Sequence, residues 1–296
     1  MERMSQNEVV SSLVEKARTA LQVLEGYSQE QVDDLCKAVG QSIAKEAELL
    51  AKEAIEETDM GKYEDKIQKN LGIGAGIWST MKNQKSVGII ERDTEKNLTY
   101  VANPKGVIAS VIPTTNPTLT IVGNVMMAVK GRNTVIISPH PRAKNVSKHT
   151  VDILNAAMKE LGAPDNIVQI IEEPSLDATN SLMQSCDIVV ATGGPAMLND
   201  SLYGLRPRGT SAIVGVVGEV TIDIYQAILI ECKRLVGIVE GSSNPKTFIP
   251  ELIDYYKQGQ FPFDKLINVY PFEDINQAFE DSKTGVAIKP VLKMVD

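Results

Sequence analysis

The chain has 296 residues, 43% of them hydrophobic, and its 30 Lys+Arg stand against 38 Asp+Glu for a formal charge of −8. That composition excludes disorder and collagen-like repetition and leaves room for one large α/β domain or two ordinary ones. A pI near 5.0 argues against nucleic acid or an anionic membrane as partner, since both reward clustered Lys and Arg, and makes a small molecule the expected ligand.

The first sixty residues carry 13 acidic against 6 basic side chains, read as the solvated faces of helices. Val9, Val10, Leu13, Val14, Ala17, Leu21 and Leu24 recur at three- and four-residue steps and predict a helix ending near Gly26. Ser28 with Gln31 forms a capping box that starts a second helix, whose apolar face runs through Val32, Leu35, Val39, Ile43, Leu50 and Ala54. A third helical stretch spans Asp59 to Lys82 and is interrupted by Gly72-Ile73-Gly74-Ala75-Gly76. A dinucleotide fingerprint needs a strand before its glycines, and here helix-like sequence precedes them, so close helix packing is the expected role.

Ser86 to Arg92 and Asn97 to Ala102 predict a hairpin around Asp93-Thr94-Glu95-Lys96. Short β-branched runs follow at Val107 to Ile112, Thr134 to Ser138, Ile167 to Ile171, Ile188 to Ala191 and Ala212 to Val217. Most are separated by helical patterns, as in a buried parallel sheet of doubly wound, Rossmann-like type preceded by helices and a hairpin. Ligands of such sheets bind at the C-terminal strand ends. Two loops there carry polar chemistry. Ile112-Pro113-Thr114-Thr115-Asn116-Pro117-Thr118 is either a capped strand-to-helix turn or a rigid loop that aims donors at an oxyanion. Ser138-Pro139-His140-Pro141-Arg142 is either a stiff surface loop or a contact for ribose or phosphate.

Cys36, Cys186 and Cys232 are odd in number and widely spaced, which argues for a reducing compartment and against a disulfide framework. Each reads as a buried free thiol. The N-terminus is polar without an apolar signal core and no run of about 18 apolar residues occurs, so a cytoplasmic protein is expected. His140 and His149 are the only histidines, and no metal site is expected.

The stretch from about Thr58 to Asn199 resembles the coenzyme-binding part of the aldehyde dehydrogenase superfamily, and closely its CoA-acylating branch. The resemblance rests on Glu91-Arg92-Asp93 to Pro104-Lys105-Gly106, the Ile-Pro-Thr-Thr-Asn-Pro loop, Gly131-Arg132-Asn133-Thr134-Val135 running into Ser-Pro-His-Pro-Arg, and Asp187 to Met197. It implies NAD or NADP as coenzyme, coenzyme A as co-substrate and a short aldehyde or semialdehyde as substrate. It places Thr115 or Asn116 at the oxyanion, Pro113 and Thr114 beside the coenzyme, and Ser138, Pro139 and His140 at the adenosine ribose. Thr192, Gly193, Gly194 and Pro195 would meet the pyrophosphate at a helix N-terminus.

From about Leu202 onward the chain resembles the C-terminal end of zinc-type medium-chain alcohol dehydrogenases, aryl-alcohol types in particular. The matching pieces are Leu205-Arg206-Pro207-Arg208-Gly209-Thr210, Val214-Gly215-Val216, Lys233 to Gly241, Tyr270 to Phe279, and Ile288-Lys289-Pro290-Val291-Leu292. That resemblance implies backbone contacts from Val214 and Val216 to the nicotinamide amide, and Lys289 near the coenzyme phosphates. Its zinc ligands have no counterpart here.

The expected organisation is therefore residues 1–199 of one dehydrogenase type joined to 200–296 of another, with the domain that brings the family's nucleophilic cysteine absent. Three functions follow as alternatives: an acylating aldehyde dehydrogenase, a nucleotide-binding hybrid without turnover, or an alcohol dehydrogenase relative lacking its zinc domain. Both resembled families are oligomeric, which leaves a homo-oligomer open.

Overall fold

The computed structural model describes residues 6–192, 195–213, 219–238, 245–259, 261 and 263–294. The chain divides into two compact units, Met1–Ile238 and Val239–Asp296.

The first unit opens with four helices, α1 (Gln6–Leu24), α2 (Gln29–Lys45), α3 (Ala47–Thr58) and α4 (Tyr63–Met81). The capping box at Ser28 is present, with Ser28 Oγ accepting from Gln31 N–H and Gln31 Oε1 from Ser28 N–H. The single helix expected across Val32 to Ala54 is instead two, broken at Glu46 (φ −102°, ψ 20°). No Gly or Pro marks the break, and apolar spacing does not register a one-residue turn. The glycine run does not interrupt α4, which continues through it, and Gly74 makes the close helix contact expected there, crossing Gly40 of α2 so that a Cβ on Gly74 would lie 2.4 Å from the Gly40 Cα.

The hairpin pairs β1 (Gly88–Asp93) antiparallel with β2 (Leu98–Ala102) as a sheet of its own. Then β3 (Val107–Val111), α5 (Pro117–Lys130), β4 (Thr134–Ser138), α6 (Lys144–Glu160), β5 (Val168–Ile170), α7 (Leu176–Ser185), β6 (Ile188–Ala191), α8 (Pro195–Gly204), β7 (Thr210–Ile213) and β8 (Arg234–Gly237) follow. All six strands are parallel, in the order β5-β4-β3-β6-β7-β8. Side chains alternate across the sheet. Ile108, Val135 and Ile137 join the core beneath α2, α5 and α6, while Val107, Ala109, Ile136 and Val189 join a second core beneath α1 and α7.

The strand expected at Ala212 to Val217 begins earlier, at Thr210, and residues 214–218 lie outside the described residues. Strand β8 was not anticipated at all. With it the order is that of the doubly wound dinucleotide-binding fold, the first strand of each half lying centrally.

The N-terminal edge of the sheet is tied by Asp187. Its carboxylate accepts from Val107 N–H at 2.7 Å, Arg18 at 3.1 Å and Arg206 at 2.6 Å. Gly106 (φ +127°) is required beside it, because a Cβ there would sit 2.1 Å from an Asp187 oxygen.

The second unit holds α9 (Pro245–Lys257), β9 (Ile267–Pro271), α10 (Ile275–Thr284) and β10 (Lys289–Lys293), with β9 and β10 paired in parallel. Among the described residues, no helix is long and apolar enough to cross a membrane.

Candidate functional site

Because the strands are parallel, all six C-terminal ends share one edge. The chain leaves β3 toward β4 and leaves β6 toward β7, so the loops part between β3 and β6 and a crevice opens there. Val111 stands opposite Ser138 on one side and Ala191 on the other. Beyond that row, Ile112 N–H donates to the Ser138 carbonyl at 3.0 Å and Thr192 N–H to the Val111 carbonyl at 3.4 Å. Residues 112–116, 138–140 and Thr192 therefore line one edge over three adjacent strands, each roughly 5 Å from the next.

Within the first loop Thr114 is buried, Thr115 exposed and Asn116 half-buried. Asn116 is the N-cap of α5 (φ −140°, ψ 65°), yet its side chain makes no capping bond. An N-cap Asn ordinarily accepts from the first turn. Here Pro117 opens the helix, and the Asn116 carbonyl accepts from Thr120 Oγ1 at 2.7 Å. The Asn116 carboxamide stays uncommitted among the described residues.

Two side chains of α4 hold the loop from below. Lys66, 7% exposed, donates Nζ to the Thr115 carbonyl at 3.2 Å. Burial, reinforced by the charge of Lys69, holds its pKa below the ordinary lysine value. Asn70 accepts from Thr118 Oγ1 at 2.9 Å and donates to the Ala47 carbonyl at 3.1 Å.

At the next strand end Ser138 and Pro139 are buried and His140 is exposed. Ser138 Oγ lies 2.7 Å from Thr179 Oγ1. His140 Nδ1 accepts from Arg142 N–H at 3.1 Å, opening a short 3-10 turn, and Arg142 donates to the Thr58 carbonyl at 3.0 Å. Thr192 follows β6, and Pro195 begins α8, whose N-terminal N–H groups belong to the same edge.

The structure thus brings together Pro113, Thr114, Thr115, Asn116, Ser138, Pro139, His140 and Thr192. Gly193, Gly194, Val214 and Val216 lie outside the described residues. Lys289 opens β10 in the second unit, where it is exposed. Lys66 and Thr179 were missed. The signal for Lys66 was its spacing of four from Asn70 and eight from Gly74, which puts two polar residues on the buried face of α4.

None of the cysteines reaches this edge. Cys36 is buried in α2, its Sγ donating to the Met126 carbonyl at 3.4 Å, and burial pushes its pKa up to about 12. Cys186 is buried just before β6, at the opposite edge of the sheet, and burial pushes it up to about 12 as well. Cys232 is exposed, correcting the expectation of a buried thiol. It adopts a left-handed conformation (φ 54°) in the exposed turn before β8. That turn too is at the N-terminal edge. No group of three or more metal-ligating side chains occurs among the described residues.

Residues 2–200 match the aldehyde dehydrogenase family. The chain belongs to that family. It is 51% identical over 216 residues to the succinate-semialdehyde dehydrogenase (acetylating) of Clostridium kluyveri, a match covering 70% of this chain and 48% of that one. Among solved structures it is similar to an acetylating aldehyde dehydrogenase from Geobacillus thermoglucosidasius (27% identity, TM-score 0.66, 94% of this chain and 62% of that one). It is also similar to the Rhodopseudomonas palustris propionaldehyde dehydrogenase with bound propionyl-CoA (27% identity, TM-score 0.57, 94% and 62%). The chain spans about half the length of the curated relatives it matches. Acylating aldehyde dehydrogenases are thus its relatives in both sequence and fold.

Proposed function

We propose that this chain is the coenzyme-binding part of a CoA-acylating aldehyde dehydrogenase, taking NAD or NADP, coenzyme A and a short aldehyde or semialdehyde at the C-terminal edge between β3 and β6. The observation that carries this reading is the convergence of the 112–116 loop, Ser138 to His140 and Thr192 on one edge, in a chain whose first 200 residues match the family. Ser138, Pro139 and His140 take the adenosine ribose. Thr192 to Pro195 take the pyrophosphate, because free N–H groups at the start of α8 favour an anion. Asn116 supplies the oxyanion contact rather than Thr115, since its carboxamide is not spent on capping α5. The coenzyme, when bound, accepts hydride from the substrate.

Residues 200–296 are of alcohol-dehydrogenase type, joined near Asn199 to Ser201. Supporting this, the family match ends at residue 200 while β7 and β8 continue the sheet in register. On this reading the backbone of Val214 and Val216 contacts the nicotinamide.

Acyl transfer needs a thiolate beside the oxyanion loop. Cys36 and Cys186 are buried thiols held protonated, and Cys232 sits at the far edge. The chain by itself therefore binds coenzyme without turnover. Thermal unfolding in the presence of NAD, NADP or coenzyme A tests the first part, because a ligand at 100 times its Kd adds about 2.7 kcal/mol. A melting temperature unmoved by millimolar coenzyme removes the binding claim. NADH formation from a semialdehyde and coenzyme A would overturn the second part.

A further inference from the structure

A buried lysine usually pairs with a carboxylate, because an unpaired buried ammonium is costly. Lys66 does not: its one hydrogen bond among the described residues is to the Thr115 carbonyl, at 3.2 Å. That carbonyl belongs to the same peptide unit as the Asn116 N–H. In a trans peptide the two point in opposite directions, so a donor that holds the carbonyl from the α4 side turns the N–H toward the open side of the loop, where Thr115 is exposed. No described residue accepts from that N–H. A cation on the carbonyl also strengthens the N–H as a donor, since linked hydrogen bonds polarise one another.

We propose that Lys66 is a positioning residue for the oxyanion contact: it fixes and polarises the Thr115–Asn116 peptide so that the Asn116 N–H and carboxamide both face an incoming oxygen anion. This rests on the reading of residues 112–116 as the carbonyl-facing loop. Three further features fit it. Thr118 and Asn70 clamp the start of α5, so the loop has little other freedom. Burial lowers the Lys66 pKa, so holding the cation under the loop carries a cost. The backbone of Asn116 is neither helical nor extended (φ −140°, ψ 65°), a conformation that the Lys66 contact on one side and Pro117 on the other hold in place.

The test uses the full 15N-labelled chain, with sodium acetate as a small oxyanion probe. In the wild type, acetate shifts the Asn116 backbone and side-chain amide resonances. Lys66→Met moves the Asn116 backbone resonance in the free protein and weakens acetate binding about tenfold, the range for one hydrogen bond to a charged donor. Lys66→Arg keeps a cationic donor and restores both. A purely structural lysine would change the melting temperature and leave the acetate response of the folded protein intact. If Lys66→Met unfolds the chain, Lys66→Gln, which keeps a neutral donor, gives the same comparison at smaller amplitude. An Asn116 resonance unmoved in the Met or Gln variant, or not restored by Arg, overturns the proposal. Titrating NAD into the same samples reads the site itself: strand-end resonances that ignore the coenzyme reject the site reading, while the Lys66 response reports separately on the peptide.

Discussion

The two edges of the six-stranded sheet use their polar residues differently. At the N-terminal edge the polar groups around Asp187 are spent on one another: Asp187 binds a backbone N–H and two guanidinium groups, and Arg206 also donates to the Cys186 carbonyl. At the C-terminal edge one polar group, the Asn116 carboxamide above its non-capped helix, is held in place but left unspent among the described residues. One edge closes the fold, and the other is the edge proposed to take the coenzyme.

The largest expected effect is therefore at the closed edge. Asp187→Ala leaves the buried Val107 N–H without a partner, worth about 1–3 kcal/mol, and frees two arginines. Those arginines are 46% and 38% exposed on their side chains, so solvent screens their share. We expect a loss of about 2–3 kcal/mol in urea unfolding, with coenzyme affinity of the folded protein unchanged. Because Arg206 lies beyond residue 200, where the family match ends, this change also loosens the tie between the matched residues and those that follow. A stability loss below about 0.5 kcal/mol, the range of an inert surface change, would show that the closed edge is not held as described.

The glycine run of α4 is the one other feature that looked able to bind phosphate, and substitution separates the two roles. Gly74→Ala forces the backbones of α2 and α4 apart and costs about 1–3 kcal/mol. Gly72→Ala and Gly76→Ala meet nothing within 4 Å and gain about 0.5–1 kcal/mol each from helix propensity. Coenzyme binding that fell with Gly72→Ala or Gly76→Ala would move the site from the sheet edge to this helix.

Much of this division was legible in the sequence. The buried strands announced themselves as short β-branched runs, since helices cover both faces and leave few positions for polar side chains. The 112–118 and 138–142 loops stood out through prolines beside hydroxyls and amides. What stayed hidden was either too short or too local. Strand β8 has four residues, Arg234–Gly237, and lies in the short run Leu235 to Val239, which a central glycine and charged residues at both ends make hard to tell from a loop. The break at Glu46 needs a single residue out of helical conformation. Lys66 sits in a charged segment that reads as solvated until the fold shows which face α4 buries. Cys232 looked like its two siblings because residue type does not encode a left-handed turn on the surface.

Capping gives a smaller but cleaner contrast. Ser28 caps α2 with its hydroxyl, so Ser28→Ala should cost about 1 kcal/mol. Asn116 occupies the same position on α5 and does not cap it, so Asn116→Ala should change stability by less than about 0.5 kcal/mol while abolishing the acetate response of the loop. Equal losses of stability would mean that Asn116 is an ordinary cap and that the open edge is less open than it looks.

The smallest effect on stability is expected from the thiols, and it isolates the edges chemically. With pKa values pushed up to about 12, Cys36 and Cys186 hold roughly one thiolate in ten thousand at pH 8, and burial shields them besides. Iodoacetamide at that pH should therefore give one adduct per native chain, at the exposed Cys232, and three after unfolding in urea. Since Cys232 precedes β8 at the closed edge, the adduct should leave both the unfolding midpoint and the coenzyme affinity where they were. Loss of coenzyme binding on alkylation of Cys232 alone would place that thiol beside the ligand and reverse the assignment of the two edges.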